Sequence, residues 1–281
     1  MKKNRIIPEC WEEMTQRQFE YLLKQLFVMM SNEDITQDDV INDFADFLCG
    51  RNHSVNPWVK QEYLLLVNEA AKLLQWIFTT FPIESDQEPE VMLNFETTQN
   101  LLPRIGKLVG PVSHGGDLRF GEYRLACDLY NSYTEENNIH TLDALVGTLY
   151  RLPANKQERN AGHVRTPFVK HKIGVYAEQV AHVPEWVKYG VYLWFSYFCR
   201  FLMTESFVID GKEVSFAPVF GRGNDDPDGK QDDSLGMMSV LFSLAESGTF
   251  GNIKETDDAM LMDVMLKLLN DYHTAQNLKK Q

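Results

Sequence analysis

The chain has 281 residues and a mass of 32.5 kDa, with 44% apolar and 24% charged residues. That composition describes a globular chain and excludes disordered, collagen-like and repeat-fibre classes. Acidic residues outnumber basic ones by 40 to 27, a net charge of −13, and a surface of that sign repels phosphate backbones, so nucleic acid is not an expected partner. The longest charge-free apolar run, Tyr189 to Cys199, is eleven residues, against about twenty needed to span a bilayer, so no membrane partner is expected. Pro8, Glu9 and Glu12 stand where a signal peptide would carry its apolar core, which gives a cytoplasmic expectation. Four dispersed cysteines (Cys10, Cys49, Cys127, Cys199) form no C-x-x-C pair, which argues against a disulfide scaffold and a sequence-local zinc site.

The first expected helix covers Thr15 to Met30. Phe19, Leu22, Leu23, Leu26, Phe27 and Met30 alternate steps of three and one, tracing one wide face, and Thr15 with Gln18 has capping-box spacing. A second helix is expected over Thr36 to Cys49, capped by Thr36 and stopped by Gly50. A third runs from Pro57 to Phe81, with Tyr63, Val67, Ala70, Leu74, Ile77, Phe78 and Phe81 on one stripe and Leu65, Leu73 and Trp76 on another. A helix apolar on two sides belongs at the centre of its domain. These three make an N-terminal region, 1–82.

Prolines and glycines break the pattern over 83–119, where Val91–Phe95 and Ile105–Val109 read as short strands. Helices resume over 120–133 and 141–151, followed by an irregular basic connector, 151–173, and a short helix near 175–181. An aromatic helix follows Pro184, with Trp186, Tyr189, Tyr192, Trp194, Phe195, Tyr197, Phe198 and Phe201 in sixteen residues. Asp210-Gly211 between β-formers gives the clearest hairpin signal, about 207–216. An acidic loop, 224–235, leads to two last helices near 234–247 and 256–276. The expected fold is mainly α: a multi-helix globular domain with one β-hairpin and short strands within 91–109. The region 120–281 carries the connector, hairpin and acidic loop, and the whole is compatible with one compact domain.

Three constellations are candidates for function. Asn224, Asp226, Asp228 and Gly229 match positions 1, 3, 5 and 6 of a calcium loop, but Leu235 stands where the bidentate glutamate belongs. The segment therefore reads as a weak calcium site or as a solvated acidic loop, and no other cofactor is expected. The connector carries Arg151, Lys156, Arg159, Arg165, Lys170 and Lys172 against one acid, Glu158. It either docks on an acidic partner or pairs with this chain's own acidic helices. In the partner reading, Arg159, Arg165, Lys170 and Lys172 make the charged contact, Phe168 anchors it, and reversing Arg165 and Lys170 leaves stability within about half a kcal/mol. The aromatic helix is core or interface, with Trp186 and Trp194 as interface candidates. No G-x-S-x-G, Walker loop or H-E-x-x-H occurs, and the expectation is a non-enzymatic protein, catalytic residues none.

Four segments carry a resemblance. IPECWEEMTQRQFEYLLKQLF (7–27) resembles the proline–tryptophan–"ELT-x-x-Q" openings of uncharacterised proteins encoded in Bacteroides-group prophages. QNLLPRIGKLVGPVSHGGDLRFGEY (99–123) is similar to their "NLLP…GP…L-x-F-G-E-Y" centre, and LAESGTFGNIKETDDAMLMDVMLKLL (244–269) to their close. LDALVGTLYRLP (142–153) resembles an "L-x-A-x-LYR-P" segment found also in tail-assembly and baseplate-associated proteins of tailed phages; here Gly147 interrupts the helix and Leu152 separates Arg151 from Pro153. The resemblance implies a phage tail morphogenesis role, as an assembly chaperone or a minor tail or baseplate component. Its partners would be other tail proteins, with self-association left open, in the host cytoplasm or the virion. A calcium- or ligand-binding module using 224–229 is the alternative, and an enzyme whose site is assembled only by folding is the third reading.

Overall fold

Both N-terminal capping boxes form. Thr15 Oγ1 accepts from Gln18 N at 3.3 Å while Gln18 Oε1 accepts from Thr15 N at 2.8 Å, and Thr36 and Asp39 repeat the exchange. Orphan amides at each helix start are thereby satisfied, opening α1 (Gln16–Met30) and α2 (Gln37–Cys49), the latter closed by left-handed Gly50. The computed structural model describes residues 7–51, 56–81, 90–209, 211–220 and 237–279. Within them the chain is mainly helical, with twelve α-helices and three two-stranded antiparallel sheets. It divides into two compact units, Met1–Leu102 with Val183–Trp194, and Pro103–His182 with Phe195–Gln281.

In the first unit α3 (Pro57–Leu73) follows α2, starting at Asn56, whose side chain caps Trp58 N. A hairpin of β1 (Phe78–Phe81) and β2 (Glu90–Leu93) then pairs Phe78 with Leu93 and Thr80 with Val91. The core is organised on Trp11, 3% exposed, which meets Phe19, Trp76 and Phe95 with ring centroids 4.9–6.0 Å apart. Its indole N–H donates to Asn94 O at 2.8 Å, so the ring is buried without an orphaned donor.

The second unit begins with the small hairpin β3 (Arg104–Ile105) and β4 (Leu108–Val109), turned by Gly106 at φ +59°. Helices α4 (Phe120–Glu136), α5 (Ile139–Leu149), α6 (Lys156–Asn160) and α7 (Ile173–Val180) follow. Next is α8 (Glu185–Thr204), whose residues to Trp194 belong to the first unit and from Phe195 onward to the second. The expected hairpin is present as β5 (Ser206–Ile209) and β6 (Lys212–Ser215), with Phe207 opposite Val214. Then come α9 (Ala217–Phe220), α10 (Met237–Glu246), α11 (Ile253–Asp257) and α12 (Leu261–Lys279). Tyr123, Phe195 and Phe198 pack together in this unit's core, and Leu142, Leu145, Val146 and Leu149 bury the α5 face.

Three expectations change. The third helix stops at Leu73, and Phe78–Phe81, read as its last turn, is a strand; Phe-Thr-Thr-Phe suits a pleated ladder once Val91 to Leu93 supply a partner. Ile105–Val109 is a two-stranded turn and not one strand. The second apolar side of α3 is not central: Leu65 and Leu73 are 60% and 52% exposed.

Gly147 shows why the break in the α5 pattern is tolerated. A Cβ there would lie 2.5 Å from the Tyr176 carbonyl carbon, so α5 and α7 approach backbone to backbone. Gly174 in α7 has nothing within 4 Å of the same position. Gly147→Ala should therefore destabilise the protein by about 1–3 kcal/mol through forced separation of the helices, whereas Gly174→Ala should stabilise it by about 0.5 kcal/mol through helix propensity. Urea unfolding of the two variants checks the opposite signs.

Candidate partner-binding groove

The segment Leu118–Tyr123 begins α4 and determines what surrounds it. Phe120 N donates to Ala259 O at 3.0 Å and Leu261 N to Leu118 O at 2.9 Å, stitching the helix start to the turn before α12. Arg119 is the N-cap and supplies no side-chain cap. Gly121 leaves room for a carboxylate instead, since a Cβ there would come 2.8 Å from Asp257 Cγ. Asp257 thus stands against the positive end of the α4 dipole, and its Oδ1 accepts from Arg124 Nη2 at 2.6 Å. Arg124 also lies over the Phe120 ring, 5.5 Å from its centroid.

One residue further, Glu122 is completely buried between two guanidinium groups. Arg151 forks onto it, Nη1 to Oε1 at 3.0 Å and Nη2 to Oε2 at 3.2 Å. Arg165 Nη1 donates to Oε1 at 2.8 Å, and Arg165 Nε donates to Asp117 Oδ2 at 3.1 Å. Two cations and two carboxylates cancel in net charge. The remaining donors turn to backbone: Arg151 Nε to Thr166 O at 2.8 Å, Arg151 Nη1 to Thr148 O, and Arg165 Nη1 to Leu149 O. Burial alone pushes the Glu122 carboxyl up. The charges of Arg151 and Arg165 and their hydrogen bonds outweigh it and hold the group below the ordinary glutamate value.

The same arginines shape the connector. Arg151 exchanges backbone hydrogen bonds with Val109, at 2.8 and 3.2 Å. Thr166 N donates to Leu152 O and Ala154 N to Val164 O, so the connector returns on itself and delivers Phe168 to the Arg151 guanidinium, 5.6 Å from ring centroid to Cζ. A groove of about 1150 Å³ is lined by half-buried Phe168 and exposed Lys170 of the connector, by Arg119, by Arg124 and Leu125 of α4, and on the α11 side by Ile253 and Lys254, with the carboxylates of Asp128, Glu255, Asp257 and Asp258 among them. Asn252 and Glu255 fix that side with a capping box. Two enclosed atoms, Arg124 Nε in the lining and Thr256 Oγ1 in α11, have no hydrogen-bond partner among the described residues. Each such group costs about 1–3 kcal/mol.

The sequence-derived candidates separate. Phe168 and Lys170 line the groove. Lys172 is exposed on the adjoining 3-10 turn, Lys170–Lys172. Arg159 is exposed and donates to Ala154 O at 2.9 Å, away from the groove lining. Arg165, expected on a docking surface, is instead enclosed, 3% exposed; the connector's own pairing takes it, so it acts as an internal clamp. Trp194 is likewise internal, its indole donating to Thr98 O at 3.0 Å. Trp186 is half-buried in the first unit, with Lys24 Nζ 5.9 Å from its ring. Asn224, Asp226 and Asp228 lie outside the described residues, and among the described residues no group of three or more acidic, His or Cys side chains has metal-binding geometry. Glu122, Asp117, Arg124 and Asp257 were not singled out in the sequence. The available signal was Glu122 itself, a carboxylate in register with the inward-facing Ala126 and Tyr130 of α4.

Compared with known proteins, the chain matches no family model, no curated protein and no solved structure. Among the described residues no helix is long and apolar enough to cross a membrane.

The enclosed cluster has a measurable pH signature. Because the Glu122 value is depressed on folding, its stabilisation is fully present above the ordinary glutamate range and is lost as pH falls through the folded-state value. Glu122→Gln should cost about 3–5 kcal/mol at neutral pH by leaving two guanidiniums short of a carboxylate. It should also flatten the acid limb of stability measured by urea unfolding between roughly pH 3 and pH 7.

Proposed function

We propose that this protein is a non-enzymatic component of phage tail morphogenesis, an assembly chaperone or a minor tail or baseplate protein, that holds a segment of another tail protein. The observation that carries the binding reading is the groove of the second unit, with Phe168 and Lys170 in its lining and Phe168 set against Arg151 of the enclosed Glu122 cluster. The tail context rests on the resemblance of residues 142–153, and the prophage context on residues 7–27, 99–123 and 244–269; these segments supply Arg119, Gly121 and Asp257 to the groove lining and Glu122 and Arg151 to the enclosed cluster. The groove lining is balanced in charge, Asp128, Glu255, Asp257 and Asp258 against Arg119, Arg124, Lys170 and Lys254. An apolar side chain is therefore taken up beside Phe168, Leu125 and Ile253, with carboxylates of the same segment meeting the exposed Lys170–Lys172 turn. The chain's net charge of −13 sets a mutual repulsion between free copies that favours solubility before a partner is bound.

Co-expression and pull-down with each neighbouring tail protein tests the proposal. Phe168→Ala should weaken capture by about tenfold or more, mainly through faster dissociation, as loss of an aromatic anchor does. Lys170→Glu should slow association at low salt and lose its effect as salt is raised. Indifference to every tail protein, together with tails that assemble normally without this gene product, would contradict the reading.

A further inference from the structure

Packing in the second unit brings two cysteines together that are far apart in the sequence. Tyr123 of α4 lies against Phe195 and Phe198 of α8, ring centroids 6.1 and 6.3 Å apart, and Tyr130 Oη shares a 3.0 Å hydrogen bond with Ser196 Oγ. Later residues of α4 thus meet earlier residues of α8, and the two helices pass in opposite directions. Cys127 stands one turn beyond Tyr123, and Cys199 one turn beyond Phe195, so both thiols lie on the shared face. There Cys127 and Cys199 hydrogen-bond to each other, and both hydrogen-bond to the Tyr123 hydroxyl. Burial first, and then the two sulfurs, hold that phenol well above its usual range. It stays protonated at neutral pH and keeps its hold on the pair.

We infer that Cys127 and Cys199 are a redox modification site, which hydrogen peroxide closes to an intrachain disulfide between α4 and α8. Cys127 is half-buried whereas Cys199 is only 6% exposed, so peroxide reaches Cys127 first. The Cys127 thiolate attacks one peroxide oxygen; the S–O bond forms as the O–O bond breaks, and the departing hydroxide takes a proton to become water. The hydrogen bond with Cys127, together with burial, pushes the Cys199 thiol up, which suits it to resolve the intermediate and not to meet the oxidant. Cys199 then gives up its proton and attacks the sulfenic sulfur. The S–S bond forms, the S–O bond breaks, and the hydroxide leaves with that proton as a second water. Each sulfur loses one electron and the peroxide gains two. Proximity outweighs acidity here, because a hydrogen-bonded thiol pair has only a short approach to the S–S length of about 2.05 Å. The bond would tie α8 to the helix that supplies Arg124, Leu125 and Asp128 to the groove lining. Its chemistry needs no partner protein, so the inference stands apart from the partner-binding reading.

Peroxide treatment of the full chain under native conditions, followed by tryptic mapping without reductant, tests it. The Cys127 and Cys199 peptides should be recovered joined, lighter than their sum by two hydrogens, and should separate on addition of dithiothreitol. Oxidation should raise the thermal midpoint by about 5 °C or more, because the bond closes a long loop of the unfolded chain. Cys199→Ala should leave Cys127 as a sulfenic acid that dimedone traps, and Cys127→Ala should leave Cys199 a free thiol at the same peroxide dose. Neither variant should show the rise in midpoint. A wild type whose Cys127 goes on to sulfinic acid without a crosslink would overturn the inference. So would a joined pair that forms only in urea, or a bond that lowers the wild-type midpoint while the variants' midpoints stay unchanged.

Discussion

The second unit depends on one enclosed ion-pair cluster, Glu122 with Arg151 and Arg165 and, behind them, Asp117. A carboxylate with no solvent exposure cannot remain ionised without compensation. Here compensation is complete in sign and nearly complete in hydrogen bonds, since the two guanidiniums reach both carboxylate oxygens and three backbone carbonyls. Such a cluster gives little net stability over an apolar core of equal volume, but removing one member is severe. Its value lies in selection. Only one arrangement of the α4 start, the end of α5 and the returning connector satisfies all of these donors and acceptors together.

That selection reaches the groove. Arg151 points at Glu122 and presents its other face to Phe168. Arg165, by filling its place beside Asp117, fixes the strand-like segment from which Pro167, Phe168 and Val169 extend. At the other side of α4, Gly121 admits Asp257, which orients Arg124 in the groove lining. Glycine, glutamate and arginine in these positions thus serve one construction, which holds the half-buried Phe168 ring against Arg151 and leaves Lys170 exposed in the groove lining. The connector's charge is divided between those two tasks, with Arg151 and Arg165 inside and Lys170 and Lys172 outside.

Much of the helical architecture was legible because its signals are local. Thr15 with Gln18, Thr36 with Asp39, and Gly50 operate within one turn of the chain, and Gly211 in the β5–β6 turn, at φ +75°, likewise acts on its immediate neighbours. What misled was nonlocal. Phe78–Phe81 fits a helical stripe as well as a strand until residues 90–93 provide a ladder. The two apolar sides of α3 are visible in sequence, but only packing separates the one against α2 from the one left to solvent. The site was half legible for the same reason. Counting charge identified the basic connector and Phe168 with Lys170, but a count does not tell an enclosed guanidinium from a free one. Arg165 finds Glu122 and Asp117, 43 and 48 residues earlier, and Gly121 meets Asp257 from the far end of the unit.

A double-mutant cycle on Glu122 and Arg165, followed by equilibrium unfolding, addresses the cluster most directly. If the two groups hold the connector by compensating each other's burial, Glu122→Gln and Arg165→Gln should each be strongly destabilising, and the double variant should be more stable than their sum implies by about 1.5 kcal/mol or more. Losses that add to within about 0.5 kcal/mol would show two independent side chains and contradict the account.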